Sequence, residues 1–227
     1  MQVLYEDNHI LIVNKEVGEI VQHDTTGDTP LEETLKKYIR EKYNKPGEVF
    51  LGIVHRIDRP VSGIVVFART SKALARLNSM MAGREIEKTY WAVVRQLPPL
   101  TEGTLEHYIE RNTQKNRSYC YPAPRGEARK AVLHYKLIGS SDRYHLLEIK
   151  LETGRHHQIR CQLAAIGSPI RGDLKYGYPR SNPGGGISLH AARIRFEHPV
   201  SHQMIDLFAP PPQDTLWTAF SNVLHNP

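Results

Sequence analysis

The sequence predicts an α+β fold with a large, mainly antiparallel sheet. Two observations carry this. Segments with strand patterning outnumber helical ones, and they follow one another along the chain instead of alternating with helices as βαβ units would. A third bears on domains. No repeat, low-complexity run or clear linker interrupts the chain, so a single domain over residues 1–227 is expected.

The elements follow in order. Val3-Leu4-Tyr5 and Ile10 to Asn14 read as short strands joined by the turn-forming pair Asp7-Asn8. Pro30 opens a helix whose apolar positions Leu31, Leu35, Tyr38 and Ile39 recur at helical spacing, and Asn44-Lys45-Pro46-Gly47 stops it. Residues 53–60 lead into a strand from Ile64 to Ala68. Ser71 is the expected N-cap of a helix from Lys72 to Met81, with Leu74 and Leu77 on one face. Strands are expected near 88–94, 104–109, 131–138 and 144–151. Thr153-Gly154 breaks the last of these, and His157 to Ile166 reads as a helix closed by Gly167 and Pro169. Residues 172–186 form a loop rich in Gly, Pro and Tyr. A hairpin joins 194–197 to 204–208, Pro210-Pro211-Pro212 ends the sheet, and a terminal helix starts near Asp214.

Composition excludes several classes. An apolar share of 40% and a charged share of 24% suit an ordinary core and rule out a collagen, a disordered tail or a disulfide scaffold. The two cysteines, Cys120 and Cys161, make no framework. No apolar run approaches the roughly 18 residues of a membrane span, and the first residues lack a basic head and an apolar signal core. A reduced, cytoplasmic chain with no membrane partner is expected.

The net charge of +6 is unevenly spread. Residues 1–50 hold six Lys/Arg against ten Asp/Glu, so the basic excess lies in the remainder. Its densest block is Arg111, Lys115, Arg117, Arg125, Arg129 and Lys130, opposed by Glu127 alone. Such a block draws in a polyanion, or it is a solvated loop that keeps the chain soluble. The neighbouring strands predict that it is a loop between antiparallel partners.

Familiar cofactor chemistry finds no motif. There is no GxGxxG with a following acid, no GxxxxGK[ST], no HExxH and no paired CxxC, and Ser62 does not sit in a GxSxG elbow. An enzyme here is expected to work with side chains alone, without metal or cofactor. Three stretches offer such side chains. His55-Arg56-Ile57-Asp58-Arg59-Pro60 puts an Asp between two Arg, a setting that keeps a carboxylate ionised and suits a nucleophile or general base. The alternative is an Asp that caps a turn beside Pro60. Thr153 to Arg160 places Arg160 one turn into a helix, where it serves a site or faces water. Lys88-Thr89-Tyr90 puts Lys88 and Tyr90 on one strand face, where a tyrosine stacks on a base, moves a proton or fills the core.

These stretches occur in one order with Ser62-Gly63, Gly172-Asp173-Leu174-Lys175-Tyr176-Gly177 and Leu189-His190-Ala191. Together they resemble the RluA-type family of RNA pseudouridine synthases, from about Val3 to Phe208. The resemblance implies a pseudouridine-synthase-like catalytic domain, a large mixed, mainly antiparallel sheet flanked by helices and loops around a central cleft, that isomerises uridines of structured RNA without cofactor. It also implies roles. Asp58 is the catalytic carboxylate, Tyr90 stacks on the base, and Arg160 pairs with the catalytic Asp. Arg56 fills the place of the flipped base, which must leave the stack before chemistry. Lys88, Arg155 and the basic block are expected to hold the RNA, a stem-loop of rRNA or tRNA, and nothing demands more than a monomer. Val61 stands where the family usually has Thr, Ile57 where it has Leu, and Ser168 where a His often precedes the Pro. The start at Val3 matches the family's first catalytic strand, so the N-terminal RNA-binding domain of some relatives is not expected. A second reading is a non-catalytic RNA-binding or ribosome-assembly factor on the same fold.

Overall fold

Residues 2–224 are described in the computed structural model. They gather into two units, one taking the residues up to Glu87 together with Ala191–Pro210, the other Lys88–His190 and the residues after Pro210.

In the first unit β1 (Gln2–Glu6) and β2 (Ile10–Lys15) pair antiparallel across the predicted turn. Asp7 closes that turn because its Oδ1 accepts the N–H groups of His9 (2.7 Å) and Ile10 (2.8 Å). β2 pairs with β4 (Ser62–Ala68), whose seven residues are all buried. Strand alternation explains the continuous apolar run. Leu11, Val13, Val65 and Phe67 face Leu31, Leu35 and Ile39 of α1 (Leu31–Lys42). Ile10, Ile12, Ile64 and Val66 face Ala73 and Leu77 of α2 (Ser71–Ala82), together with Phe196. Both faces are thus dry, and each large side chain buried there contributes about 2 kcal/mol. The strand order continues from β4 to β10 (Leu189–Glu197), which carries β11 (Met204–Phe208). A short β3 (Gly52–Ile53) also lies beside β4. The N-cap of α2 is Thr70, not Ser71. Thr70 is extended and its hydroxyl accepts the Ala73 N–H, whereas Ser71 is already helical.

In the second unit the order is β5 (Glu87–Val94), β9 (His145–Leu151), β8 (Arg129–Ser140), β6 (Glu102–Asn112) and β7 (Arg117–Tyr121), every pair antiparallel. The expected basic loop is in large part strand. β7 pairs with β6 through Ile109↔Cys120 and Arg111↔Ser118, around a turn that holds Asn116 at φ +43°. Its sequence, Arg-Ser-Tyr-Cys-Tyr, hides the strand because the residues on its inner face, Ser118 and Cys120, are small and weakly apolar. α3 (Gln158–Ala165) ends at Gly167, which takes the left-handed conformation (φ +81°) the sequence predicts for it. The loop 172–186 contains a 3-10 turn at Leu174–Tyr176. The terminal helix starts after Asp214 as expected but is two four-residue helices, α4 (Thr215–Thr218) and α5 (Ser221–Leu224), the first capped by the Asp214 carboxylate. The α+β class with a mainly antiparallel strand arrangement is therefore the observed one. No helix among the described residues is long and apolar enough to cross a membrane.

Candidate active site

In the first unit Asp58 stands in the irregular stretch between β3 and β4. The chain turns there: Val61 N–H donates to the Asp58 carbonyl at 3.0 Å, and the Val61 side chain is buried. The turn is held from below through the Arg59 carbonyl, which accepts Gly18 N–H (2.9 Å) and Lys15 Nζ (3.3 Å). Lys15 Nζ also donates to the carbonyls of Glu16 and Glu19, each at 2.8 Å. Lys15 is wholly buried, and burial pushes its ammonium down to about 8 against the opposing charges of Glu19 and Asp58. The sequence reading placed two arginines around Asp58. Arg59 pairs with Asp28 and Arg56 is exposed, so a buried cation under the turn is Lys15, which sequence reasoning missed. Its signal was a lone Lys ending a strand that opens with four apolar residues.

In the second unit the stretch from Thr153 to Arg160 is built around two amides. Gln158 Oε1 accepts the Thr153 hydroxyl (2.8 Å) and Arg155 N–H (2.9 Å), and its Nε2 donates to the Val132 carbonyl (3.0 Å). One turn later Gln162 Nε2 donates to the Leu105 carbonyl (3.0 Å). These uncharged bonds tie α3 to β6 and β8. Arg160 lies between them, buried, and its Nε and Nη2 donate to the two carboxylate oxygens of Asp173 at 2.7 and 2.9 Å. Tyr90 is buried in β5, paired with Ile149 on β9. Lys88, two residues earlier, is desolvated enough that its pKa is lowered, so it is no ordinary solvated phosphate contact.

His157 begins α3 with a left-handed backbone (φ +52°). Burial, with the nearby Arg160 charge, pushes its imidazole down to about 2, so it stays neutral. The unfolded chain binds a proton below about pH 6.5 and the folded chain does not, so stability falls as pH drops through that window, by up to about 1.4 kcal/mol per unit. Asn tolerates the left-handed region. His157→Asn is expected to flatten the decline of unfolding free energy between pH 6.5 and 5, as measured by urea titration. An unchanged slope would show that His157 is protonated in the fold.

Strand alternation divides the basic block. Arg111 and Arg129 share a face with Ile109, Cys120 and Ala131, the face packed on Cys161 of α3. Lys130 lies on the other face, paired with Glu106 at 2.8 Å. Arg125 is exposed over the Tyr121 ring, and Arg117 lies over Tyr119 and Tyr176. Lys115 and Arg155 are exposed, and Arg155 Nε donates to the Lys130 carbonyl.

A family model described as RNA pseudouridylate synthase matches residues 9–165, a span that holds Asp58, Tyr90 and Arg160. The chain belongs to the RNA pseudouridine synthase family. A pseudouridine synthase is an isomerase that converts uridine to pseudouridine in RNA, and that is the activity of this family member. The chain is 35% identical over 225 residues to the ribosomal large subunit pseudouridine synthase D of Zymomonas mobilis, covering 94% of this chain and 70% of that one. It is 30% identical over 227 residues to the tRNA pseudouridine synthase C of Pectobacterium carotovorum, covering 92% and 58%. The fold is also that of human RNA pseudouridylate synthase domain containing 4, with a TM-score of 0.80 at 20% identity, covering 99% of this chain and 93% of that one.

Proposed function

We propose that this synthase modifies uridines in stem-loops of ribosomal or transfer RNA, using Asp58 as its catalytic carboxylate. The observation that carries the reading is the position of Asp58: a carboxylate within the family-matched span, on a turn held through backbone groups. In the isomerisation the bond from the sugar to the uracil nitrogen breaks and one to a ring carbon forms. The proton of that carbon leaves and the nitrogen gains one. Asp58 acts on the sugar or the base, Tyr90 packs on the base, and Arg160 serves the catalytic Asp. Arg56, exposed beside Asp58, fills the place of the flipped nucleotide; its planar guanidinium suits stacking. The names of relatives that act on large-subunit and on transfer RNA support either target class. Both units are read as one catalytic domain, active as a cytoplasmic monomer without metal or cofactor.

The test uses transfer RNA and ribosomal RNA transcripts tritiated at the uracil carbon that becomes glycosidic. Tritium release into water is the expected result; binding without release would favour the RNA-binding factor. A second experiment concerns capture. Arg111→Gln with Arg129→Gln is expected to reduce the slope of log affinity against log salt by about 1.5, as loss of two phosphate contacts requires. Lys130→Gln, on the opposite face and already paired, is expected to leave the slope unchanged. Equal slopes in both variants would mean that the face bearing Arg111 and Arg129 does not meet RNA.

A further inference from the structure

We propose that the segment from Gly172 to Gly177 is a clamp that positions Arg160, with Asp173 and Tyr176 as its two jaws. The proposal rests on the reading that Arg160 serves the catalytic carboxylate, and it adds two positioning residues to the reaction.

Asp173 grips the guanidinium in its plane. A two-point bond from Nε and Nη2 to one carboxylate fixes both position and rotation, which a single contact does not. Tyr176 holds it from the face, with its ring centre 5.1 Å from the Arg160 guanidinium carbon. The ring is fixed in turn. Its hydroxyl accepts Ser118 N–H at 2.8 Å and lies 2.9 Å from His157 Nδ1. Burial keeps His157 neutral and raises the Tyr176 hydroxyl to about 12, so the two groups meet as an uncharged hydrogen-bonded pair.

The segment itself is preset. The Asp173 carbonyl accepts the N–H groups of Tyr176 (3.1 Å) and Tyr178 (3.0 Å), which closes the 3-10 turn between the jaws. Gly172 and Gly177 take left-handed conformations at φ +87° and +93°. A Cβ at Gly172 would lie 2.6 Å from the Asn182 side chain, which is itself engaged with Arg171 and Ser188.

Stability alone does not account for this arrangement. A buried ion pair holds a fold no better than well-packed apolar groups, because desolvation offsets the attraction. Nor is the pair needed to seat α3, which Gln158 and Gln162 already fasten to β6 and β8. What the pair adds is a guanidinium with one orientation, available without reorganisation at the moment of reaction.

The experiment compares wild type, Asp173→Asn, Tyr176→Phe, Arg160→Lys and the Asp173→Asn/Arg160→Lys double variant, on an RNA that the wild type modifies. Single-turnover rate and RNA affinity are measured separately. Asp173→Asn is expected to slow the chemical step at least about 30-fold while RNA affinity stays within about threefold. The double variant is expected to be no slower than Arg160→Lys alone, since both changes act through one group. Tyr176→Phe keeps the ring and is expected to lose only about fivefold. Asp173→Glu, which keeps the charge, is expected to recover part of the rate and stands in if the Asn variant does not fold. Nitrogen-15 arginine spectra supply a readout independent of turnover: one Nε–H signal, absent in Arg160→Lys, is protected from water in wild type and exchanges fast in Asp173→Asn. Losses that multiply in the double variant, or an Asp173→Asn rate within about threefold of wild type, overturn the clamp. A wild type that forms no pseudouridine overturns the proposed function, and the clamp falls with it.

Discussion

Asp58→Asn is expected to bind RNA within about threefold of wild type and to form no detectable pseudouridine, a loss of at least about 10⁴-fold or 5 kcal/mol of barrier. The carboxamide has the carboxylate's shape but carries no negative charge, so it is neither a nucleophile nor a base. The turn is expected to survive the change. The bond that closes it runs from Val61 N–H to the backbone carbonyl of residue 58, and Lys15 and Gly18 hold the next carbonyl. Unfolding by urea should therefore match wild type closely, so that lost activity reports lost chemistry. Tritium release and filter binding on one RNA check both halves. Release at a wild-type rate would remove Asp58 from the mechanism, and a large fall in affinity would make it a contact residue.

Gly63→Ala is expected to destabilise the fold severely. A Cβ there would stand 2.3 Å from the carbonyl oxygen of Ala191 and 2.5 Å from its nitrogen. These are backbone atoms on a neighbouring strand, so no side chain can swing away. The φ of +116° adds strain that only glycine avoids. A destabilisation of at least about 4 kcal/mol is expected, enough to unfold a marginal domain. Gly18 is the control, because its φ is +91° but nothing lies within 4 Å of its Cβ position. Gly18→Ala should cost only the backbone term, about 1 kcal/mol. Chemical denaturation of both variants decides; similar small losses would mean that β4 and β10 can part without cost.

Much of the fold was legible because burial leaves a period. β2 and β4 were readable as apolar runs, and α1 and α2 as stripes, since both faces of the first unit's sheet are covered. β7 was not, because Ser118 and Cys120 carry too little apolar surface to signal an inward face. The candidate site residues were picked where unusual residues stand close together in sequence. Asp58, Arg160 and Gly172 to Gly177 stand in motifs with unusual residue spacing. Lys15, Gln158 and Gln162 went unremarked as supports, because what they hold is backbone, and backbone acceptors leave no mark in a sequence. The division of the basic block was hidden for a related reason. Charge counts along a chain say nothing of pleat, and only the register Arg111↔Ser118 and Ile109↔Arg129 shows which cations share a face.

The ties on α3 have a consequence for how the molecule responds to its surroundings. Gln158 and Gln162 are neutral, and the Arg160–Asp173 pair is out of reach of mobile ions. Arg111 and Arg129 stand in solvent, where added ions screen them. Ionic strength therefore separates two properties that pH would confound. It tunes the field that the exposed arginines present to any polyanion, and it leaves untouched the posture of the buried Arg160.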